Sequence, residues 1–211
     1  MKDFTIPMAL VDYIPVVLFA IAAIILQRDM YNKMSKGAFA LFAAGTINVT
    51  CAGALKATYK LLYAANICDF EALNAMFFPV QSIGFLLAGI GIIATLTHKQ
   101  TTTLAVAPTI FSGTFVFVAL MVAGLGCMDA GLCILAFKMN KQRLGTILAF
   151  AFSFVCSLCM GYLSSQNFAQ ASMNWIAEGV NVVGQGLFFL GAYLMHKNGL
   201  ADFIIREGEK A

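Results

Sequence analysis

The sequence predicts an all-α, polytopic integral membrane protein, and three observations support that prediction. Hydrophobic residues make up 61% of the 211 residues and charged residues 11%, whereas soluble domains average roughly 45–50% and roughly 25%. The apolar residues fall into long stretches, and a membrane-crossing helix needs roughly 20 such residues. The connecting segments are too short for a soluble catalytic domain. We therefore expect residues 1–211 to form a single transmembrane domain in the lipid bilayer of a plasma or inner membrane.

The first span is expected to be retained, because the N-terminus does not resemble a cleaved signal peptide. Asp3 and Asp12 lie where a basic region and then an apolar region would be required.

Six apolar stretches are long enough to cross the bilayer. They cover residues 8–27, 37–59, 72–97, 112–137, 144–164 and 174–195.

The number of spans depends on residues 103–137, in which Asp129 is the only charged residue. One helix of this length would measure roughly 52 Å, too long for a single upright crossing. Two helices would have about 17 residues each and no turn between them. The polar residues 100–103 and Pro108 favour a loop followed by one span. The alternative is a seven-span chain divided near Ala119.

The basic residues favour the seven-span alternative. Six spans place nine Lys and Arg residues on one side and four on the other, with both termini in the cytoplasm. Seven spans give ten against three, with the N-terminus outside. Hydrocarbon thickness is a harder constraint than a statistical charge bias, so the sequence predicts six spans, with seven as the alternative.

The two halves of the chain, residues 8–97 and 112–197, resemble each other weakly. The matched segments lie at offsets of 104 or 105 residues. Six spans would make the halves an inverted repeat and seven would make them parallel repeats, and both arrangements occur in transporters. Duplication of a stable helical hairpin is the alternative without transport. The matches are residues 33–36 with 138–141, Asn74 with Glu178, and Gln81 with Gln185.

Asp129 is the acidic residue deepest within a predicted span. It lies eight residues from Phe137, or roughly 12 Å along a helix. Ionisable groups are costly in hydrocarbon, so each one indicates a function. Asp129 is predicted to bind a proton or cation, or to form half of a buried ion pair. The alternative is a structural hydrogen bond between helices.

The last span carries a polar stripe. Asn174, Glu178, Asn181 and Gln185 have spacings of four, three and four residues, which places them on one helix face. Such a face indicates a water-filled cavity or a polar helix interface. Gln185 and its match Gln81 lie near the middle of their spans, where carboxamides can donate and accept hydrogen bonds with a polar substrate.

The second span adds a further polar residue and two lysines. Asn48 lies near its middle, and Lys56 and Lys60 share a face near its end. The favoured interpretation of the lysines is an interfacial anchor. The alternative is that Lys56 pairs with Asp12 or Glu178. The predicted substrate-binding residues are Asp129, Gln81, Gln185, Glu178, Asn181 and Asn48.

The sequence predicts a small secondary transporter or channel for a small polar or cationic solute, with proton coupling through Asp129 or Glu178. A receptor-like module or a subunit that docks on a partner is the alternative. A thiol oxidoreductase using Cys156 and Cys159 ranks third, because no basic residue near them would stabilise a thiolate. No cofactor or metal is expected, since no mid-span histidine, metal-ligand spacing or Walker-type loop is present.

Two expectations concern partners. A net charge of +3 provides no dense basic patch, which argues against nucleic acid. Small residues spaced four apart within the spans, such as Gly84 with Ala88, allow helices to pack closely within one chain or between two. A homodimer is therefore compatible with the sequence.

Overall fold

The computed structural model of the chain describes residues 4–97, 114–139, 143–163 and 171–205. Regular structure in these residues is α-helical throughout. Two short helices precede longer ones, so α1 leads into α2 across Asp12 and α4 leads into α5 across Met76. The helices are α1 (Ile6–Val11), α2 (Tyr13–Met30), α3 (Lys36–Ala64), α4 (Glu71–Ala75), α5 (Phe77–Thr97), α6 (Thr114–Met139), α7 (Arg143–Leu163) and α8 (Ala171–Lys197).

Local sequence signals explain several helix ends. The hydroxyls of Thr5 and Ser35 accept hydrogen bonds from backbone N–H groups in the first turns of α1 and α3, as N-cap residues do. Gly199 follows α8 with a φ of 88°, a conformation that glycine adopts without strain. The Leu200 N–H then donates to the Met195 carbonyl at 3.0 Å, which closes the helix with a Schellman-type bond.

Among the described residues, five segments are long and apolar enough to cross a membrane. The helix α8 is equally long, with 27 residues, but polar residues interrupt its apolar composition. Large apolar side chains such as Ile24, Leu144 and Tyr162 are exposed on the outer surface, where lipid would cover them. The architecture is therefore consistent with a helical membrane bundle. The five segments are Ile6–Met30, Lys36–Ala64, Glu71–Thr97, Val116–Met139 and Arg143–Leu163.

The six long helices form a closed ring in the order α2, α3, α5, α6, α7, α8, with α8 returning to α2. Most neighbours in the ring are antiparallel, but two pairs are parallel. In the first pair, Gly89 of α5 packs on Gly124 of α6, and further along both helices Ile92 packs on Gly131. The second pair, α2 and α8, is joined first by Phe19 with Phe188 and then by Asp29 with His196.

These directions divide the ring into two units of three helices. The first unit contains α2, α3 and α5, and the second contains α6, α7 and α8; corresponding helices point the same way. The first and last of the long helices, α2 and α8, are therefore parallel.

The structure describes part of residues 103–137, the segment that decides the number of spans. The helix α6 continues unbroken through Ala119, so the division that the seven-span alternative placed there is wrong. Because α5 and α6 are parallel, Thr97 and Thr114 lie at opposite ends of the bundle. The polar residues 100–103 and Pro108 lie outside the described residues.

Glycines allow the third helix of each unit to approach the second. On α5, a Cβ added at Gly84 would lie 2.9 Å from the Gly45 carbonyl oxygen, and one at Gly91 would lie 2.7 Å from that of Ala38. On α8, a Cβ at Gly184 would lie 2.9 Å from the Cys156 Cβ. Gly191, seven residues further on, packs on the Phe150 ring. The third helix of each unit, α5 or α8, thus packs on the second helix through two glycines that are seven residues apart.

The bundle has two dissimilar halves along its axis. The half in which α2 and α8 end is filled with apolar side chains, and we call it the packed half. The half in which α2 and α8 begin contains a cavity, and we call it the cavity half. Fully buried residues of the packed half include Leu26, Met30, Ile92, Met128, Leu132, Leu135 and Met195.

Candidate functional site

The cavity has a volume of about 520 Å³, and every long helix contributes to its wall. Its size falls within the range of roughly 300–1,000 Å³ that is typical of small-molecule sites. Apolar residues form most of the lining, and a smaller number of charged and amide side chains face the same space. This combination is typical of a pocket for a small organic molecule.

A buried ion triad lies at the cavity. The Lys60 ammonium lies 3.0 Å from the Asp12 Oδ2 and 3.0 Å from the Glu178 Oε1. The side chains of Lys60, Asp12 and Glu178 are 9%, 10% and 3% exposed. Asp12 lies between α1 and α2, Lys60 on α3 and Glu178 on α8, so the triad joins the two units. Such charges are tolerated only when they are paired.

The triad corrects the interpretation of the two lysines. The sequence favoured an interfacial anchor for both, with Lys56 as the alternative partner of Asp12 or Glu178. The structure instead buries Lys60 between the two carboxylates, and it places the Lys56 ammonium 4.1 Å from the Phe77 ring centroid. The two lysines share a helix face, so the sequence alone could not decide which of them reaches the acids.

Amide side chains from both units line the same cavity. Gln81 comes from α5, and Asn181 and Gln185 come from the polar stripe of α8. The Oε1 atoms of Gln81 and Gln185 and the Oε2 atom of Glu178 are buried and accept no hydrogen bond from the described residues. Because buried polar groups are normally paired, these three oxygens are the strongest candidates for contacts with a bound molecule.

Four of the six predicted substrate-binding residues therefore meet at one cavity: Gln81, Glu178, Asn181 and Gln185. The structure separates Asp129 and Asn48 from them, since neither lines the cavity. Asn48 is half-buried on α3.

Asp129 lies on α6 in the packed half and is 3% exposed. Neither of its carboxylate oxygens has a partner among the described residues. Leu125, one helical turn earlier, lines the cavity, so Asp129 lies just beyond the cavity floor. Its burial matches the sequence prediction of a deep acid, whereas a partner for a buried ion pair is absent from the described part of the chain.

Aromatic rings separate the cavity from the packed half. Phe19 of α2 stacks on Phe188 of α8 with ring centroids 5.3 Å apart, and it contacts Phe85 of α5 at 6.0 Å. Phe150 of α7 contacts Phe188 at 5.5 Å. Phe19 and Phe85 also line the cavity. These four rings, which we call the aromatic floor, come from both units. They were not predictable from the sequence, because apolar spans contain many phenylalanines.

A second polar cluster joins the units at the far end of the packed half. The Nδ1 of His196 lies 2.8 Å from the Asp29 Oδ2, and Arg28 lies beside both residues. Lys33 donates a hydrogen bond to the Phe203 carbonyl at 2.7 Å. No sequence pattern indicated this cluster, because its residues come from opposite ends of the chain.

The two cysteines proposed for redox chemistry are both free thiols. Cys156 packs on Gly184 of α8, whereas Cys159 is exposed. Neither lines the cavity. Within the described ranges, no group of three or more His, Cys, Asp or Glu side chains could hold a metal ion.

The chain was compared with protein-family models, curated proteins and solved structures, and none of them matches it.

Proposed function

We propose that the protein is a small secondary transporter for a polar solute, which it binds in the cavity. The observation that carries this proposal is the position of the cavity. It lies inside the ring, is lined from both units, and ends at the aromatic floor above a packed half. A binding site at the interface of two repeats, accessible from one side, is the arrangement on which alternating access depends.

The membrane topology we propose has seven crossings. Two units of three alternating helices that point the same way support it over the six spans and the inverted repeat expected from the sequence, because six crossings would make α2 and α8 antiparallel. Seven crossings place ten basic residues on the side of the packed half and three on the side of the cavity. The positive-inside rule then places the packed half towards the cytoplasm and the cavity towards the outside.

The glycine contacts support parallel repeats, but at a different offset from the one matched in the sequence. Gly84 and Gly91 correspond to Gly184 and Gly191 in how they pack, an offset of 100. The same offset aligns Asn74 with Asn174 and Gln81 with Asn181. All four of these amide residues line the cavity. We propose that the two units arose by duplication and contribute equivalent amides to one site.

Transport in this scheme requires the packed half to open. The contacts that join α2 to α8 there, Phe19 with Phe188 and Asp29 with His196, link different units. A rocking motion of one unit against the other would separate them, and closure of the cavity half would accompany it. We propose Asp129 as the site of a coupling proton or cation, because it lies just beyond the cavity floor and neither of its carboxylate oxygens has a partner among the described residues.

Flux through the purified protein in liposomes tests this proposal. A transporter shows counterflow, in which unlabelled solute inside the vesicles drives accumulation of labelled solute from outside. Binding of solute without any flux would instead support the receptor-like alternative. The topology is tested separately by reporter fusions at the two termini: seven crossings place them on opposite sides of the membrane, and termini on the same side would contradict the proposal.

A further inference from the structure

We infer that the cavity binds an electrically neutral solute that has a flat ring and several O–H or N–H donors. Nucleosides and aryl glycosides share this chemistry. The inference rests on the proposed transport function and specifies its substrate class, whereas the sequence left a cationic solute equally open.

The charges of the described residues that line the cavity balance. Asp12 and Glu178 contribute two negative charges, and Lys56 and Lys60 contribute two positive charges. An ion that enters such a cavity loses its hydration and finds no excess of opposite charge, which costs free energy. A cation would also approach the Lys56 ammonium, which has no carboxylate within 4 Å among the described residues. A neutral solute avoids both costs.

The cavity groups that have no partner among the described residues are acceptors. Gln81 and Gln185 each present a buried carbonyl oxygen, and Glu178 presents the carboxylate oxygen that Lys60 does not use. A ligand satisfies such atoms only if it brings hydrogen-bond donors. Because Glu178 comes from near the start of α8 and Gln185 lies about two turns deeper, a solute with donors at more than one position fits better than one with a single donor.

Aromatic rings provide an apolar surface beside these acceptors. Phe77 and Phe78 lie with their ring centroids 5.1 Å apart on the α5 side, and Phe85 forms part of the floor. A flat ring stacks favourably on aromatic faces, whereas an acyclic polyol has no such face. The volume of about 520 Å³ is large enough for a molecule of two rings by the usual range of ligand sites.

The test uses four probes with the purified, full-length protein. They are uridine, phenyl glucoside, choline and glutamate, which represent a neutral nucleoside, a neutral glycoside, a cation and an anionic amino acid. Thermal stabilisation in detergent measures binding, and counterflow in liposomes measures transport. We expect binding and flux with at least one neutral probe, and neither with choline or glutamate.

Four variants make the inference sharper. Gln81→Ala and Gln185→Ala should each weaken binding of the neutral probe roughly tenfold, the usual effect of losing a hydrogen bond in a desolvated site. Asn48→Ala, an amide in the same bundle but outside the cavity, should leave affinity unchanged. Lys56→Met gives the lining a net negative charge and should allow choline to bind.

The outcomes separate the inference from the proposed function. Binding of a neutral probe without counterflow would support the inference and overturn the transport proposal. Transport of choline or glutamate but of neither neutral probe would overturn the inference and leave transport intact. Failure of both neutral probes to bind would also overturn the inference, as would loss of affinity in Asn48→Ala equal to that in Gln81→Ala.

Discussion

Lys60→Met tests the buried triad, because the substitution removes the cation and retains much of the side-chain length. Among the described residues, Lys60 is the cation that contacts both Asp12 and Glu178, at 3.0 Å each. Without it, two carboxylates that are 10% and 3% exposed have no such cation to pair with. Removing one partner from a buried ion pair typically costs about 3–5 kcal/mol, and we expect a loss of stability of that size.

A second substitution reveals whether the cost arises from unpaired charge. Glu178→Gln added to Lys60→Met removes one of the unpaired carboxylates, which should recover about 1–3 kcal/mol, the cost of a buried unsatisfied group. The double variant should therefore be more stable than Lys60→Met alone, although it carries one change more. In the native background, Glu178→Gln should destabilise the protein, because Lys60 loses a charged acceptor.

The assay is unfolding of the purified protein in mixed detergent micelles by titration with a denaturing detergent, followed by tryptophan fluorescence from Trp175. Lys36→Met, an exposed lysine at the start of the same helix, is the matched control and should shift the midpoint little. The reasoning is refuted if Lys60→Met costs less than about 1 kcal/mol, or if Glu178→Gln makes Lys60→Met less stable still.

The other predictions concern the packed half and the helix contacts. Phe19→Ala removes a ring from the aromatic floor, so it should destabilise the protein by about 3–5 kcal/mol and make liposomes leaky to solute; an unchanged leak rate would contradict the proposed floor. His196→Ala removes the contact with Asp29 and should increase labelling of a cysteine placed at Leu132 by a water-soluble maleimide, and unchanged labelling would mean that this contact does not keep the half closed. Gly89→Leu should prevent α5 from approaching Gly124 and reduce the yield of folded protein in size-exclusion chromatography by more than Gly179→Leu, where an added Cβ would meet no packing partner among the described residues within 4 Å; equal yields would contradict the close packing. Asp129→Asn should abolish the dependence of solute accumulation on a pH gradient while counterflow persists, and gradient-driven accumulation equal to wild type would exclude Asp129 as the coupling site.

The sequence predicted the helices well because each membrane-crossing helix is defined by its own length and composition. The polar stripe of α8 was also predictable, since the spacing of Asn174, Glu178, Asn181 and Gln185 depends only on helical geometry. Gln81 and Gln185 were both expected near the middle of their spans as ligands of a polar substrate, and both line the cavity. Each of these features depends on a short stretch of sequence, so helical spacing and composition were sufficient to predict it.

Features that depend on relations between helices were not predictable. Whether α2 and α8 are parallel depends on the chain between Thr97 and Thr114, where apolar length and charge bias gave opposite answers. Whether Lys60 or Lys56 reaches the two carboxylates depends on how α3 is rotated within the bundle. Side chains four residues apart leave a helix in nearly the same direction, so the sequence alone does not distinguish the two lysines. Asp129 was identified as a buried acid, but its separation from the cavity depends on which side of α6 faces the interior at that depth.

Counterflow of a neutral solute into liposomes tests the central claim most directly, with wild-type protein compared to the double variant Gln81→Ala/Gln185→Ala. The account predicts that wild-type protein accumulates labelled uridine or phenyl glucoside when the same unlabelled solute is inside. It also predicts that the double variant, folded to the same extent, requires roughly a hundredfold more solute for half-maximal flux, two hydrogen bonds at about tenfold each. Equal flux from both proteins, or flux no greater than in empty liposomes, would contradict it.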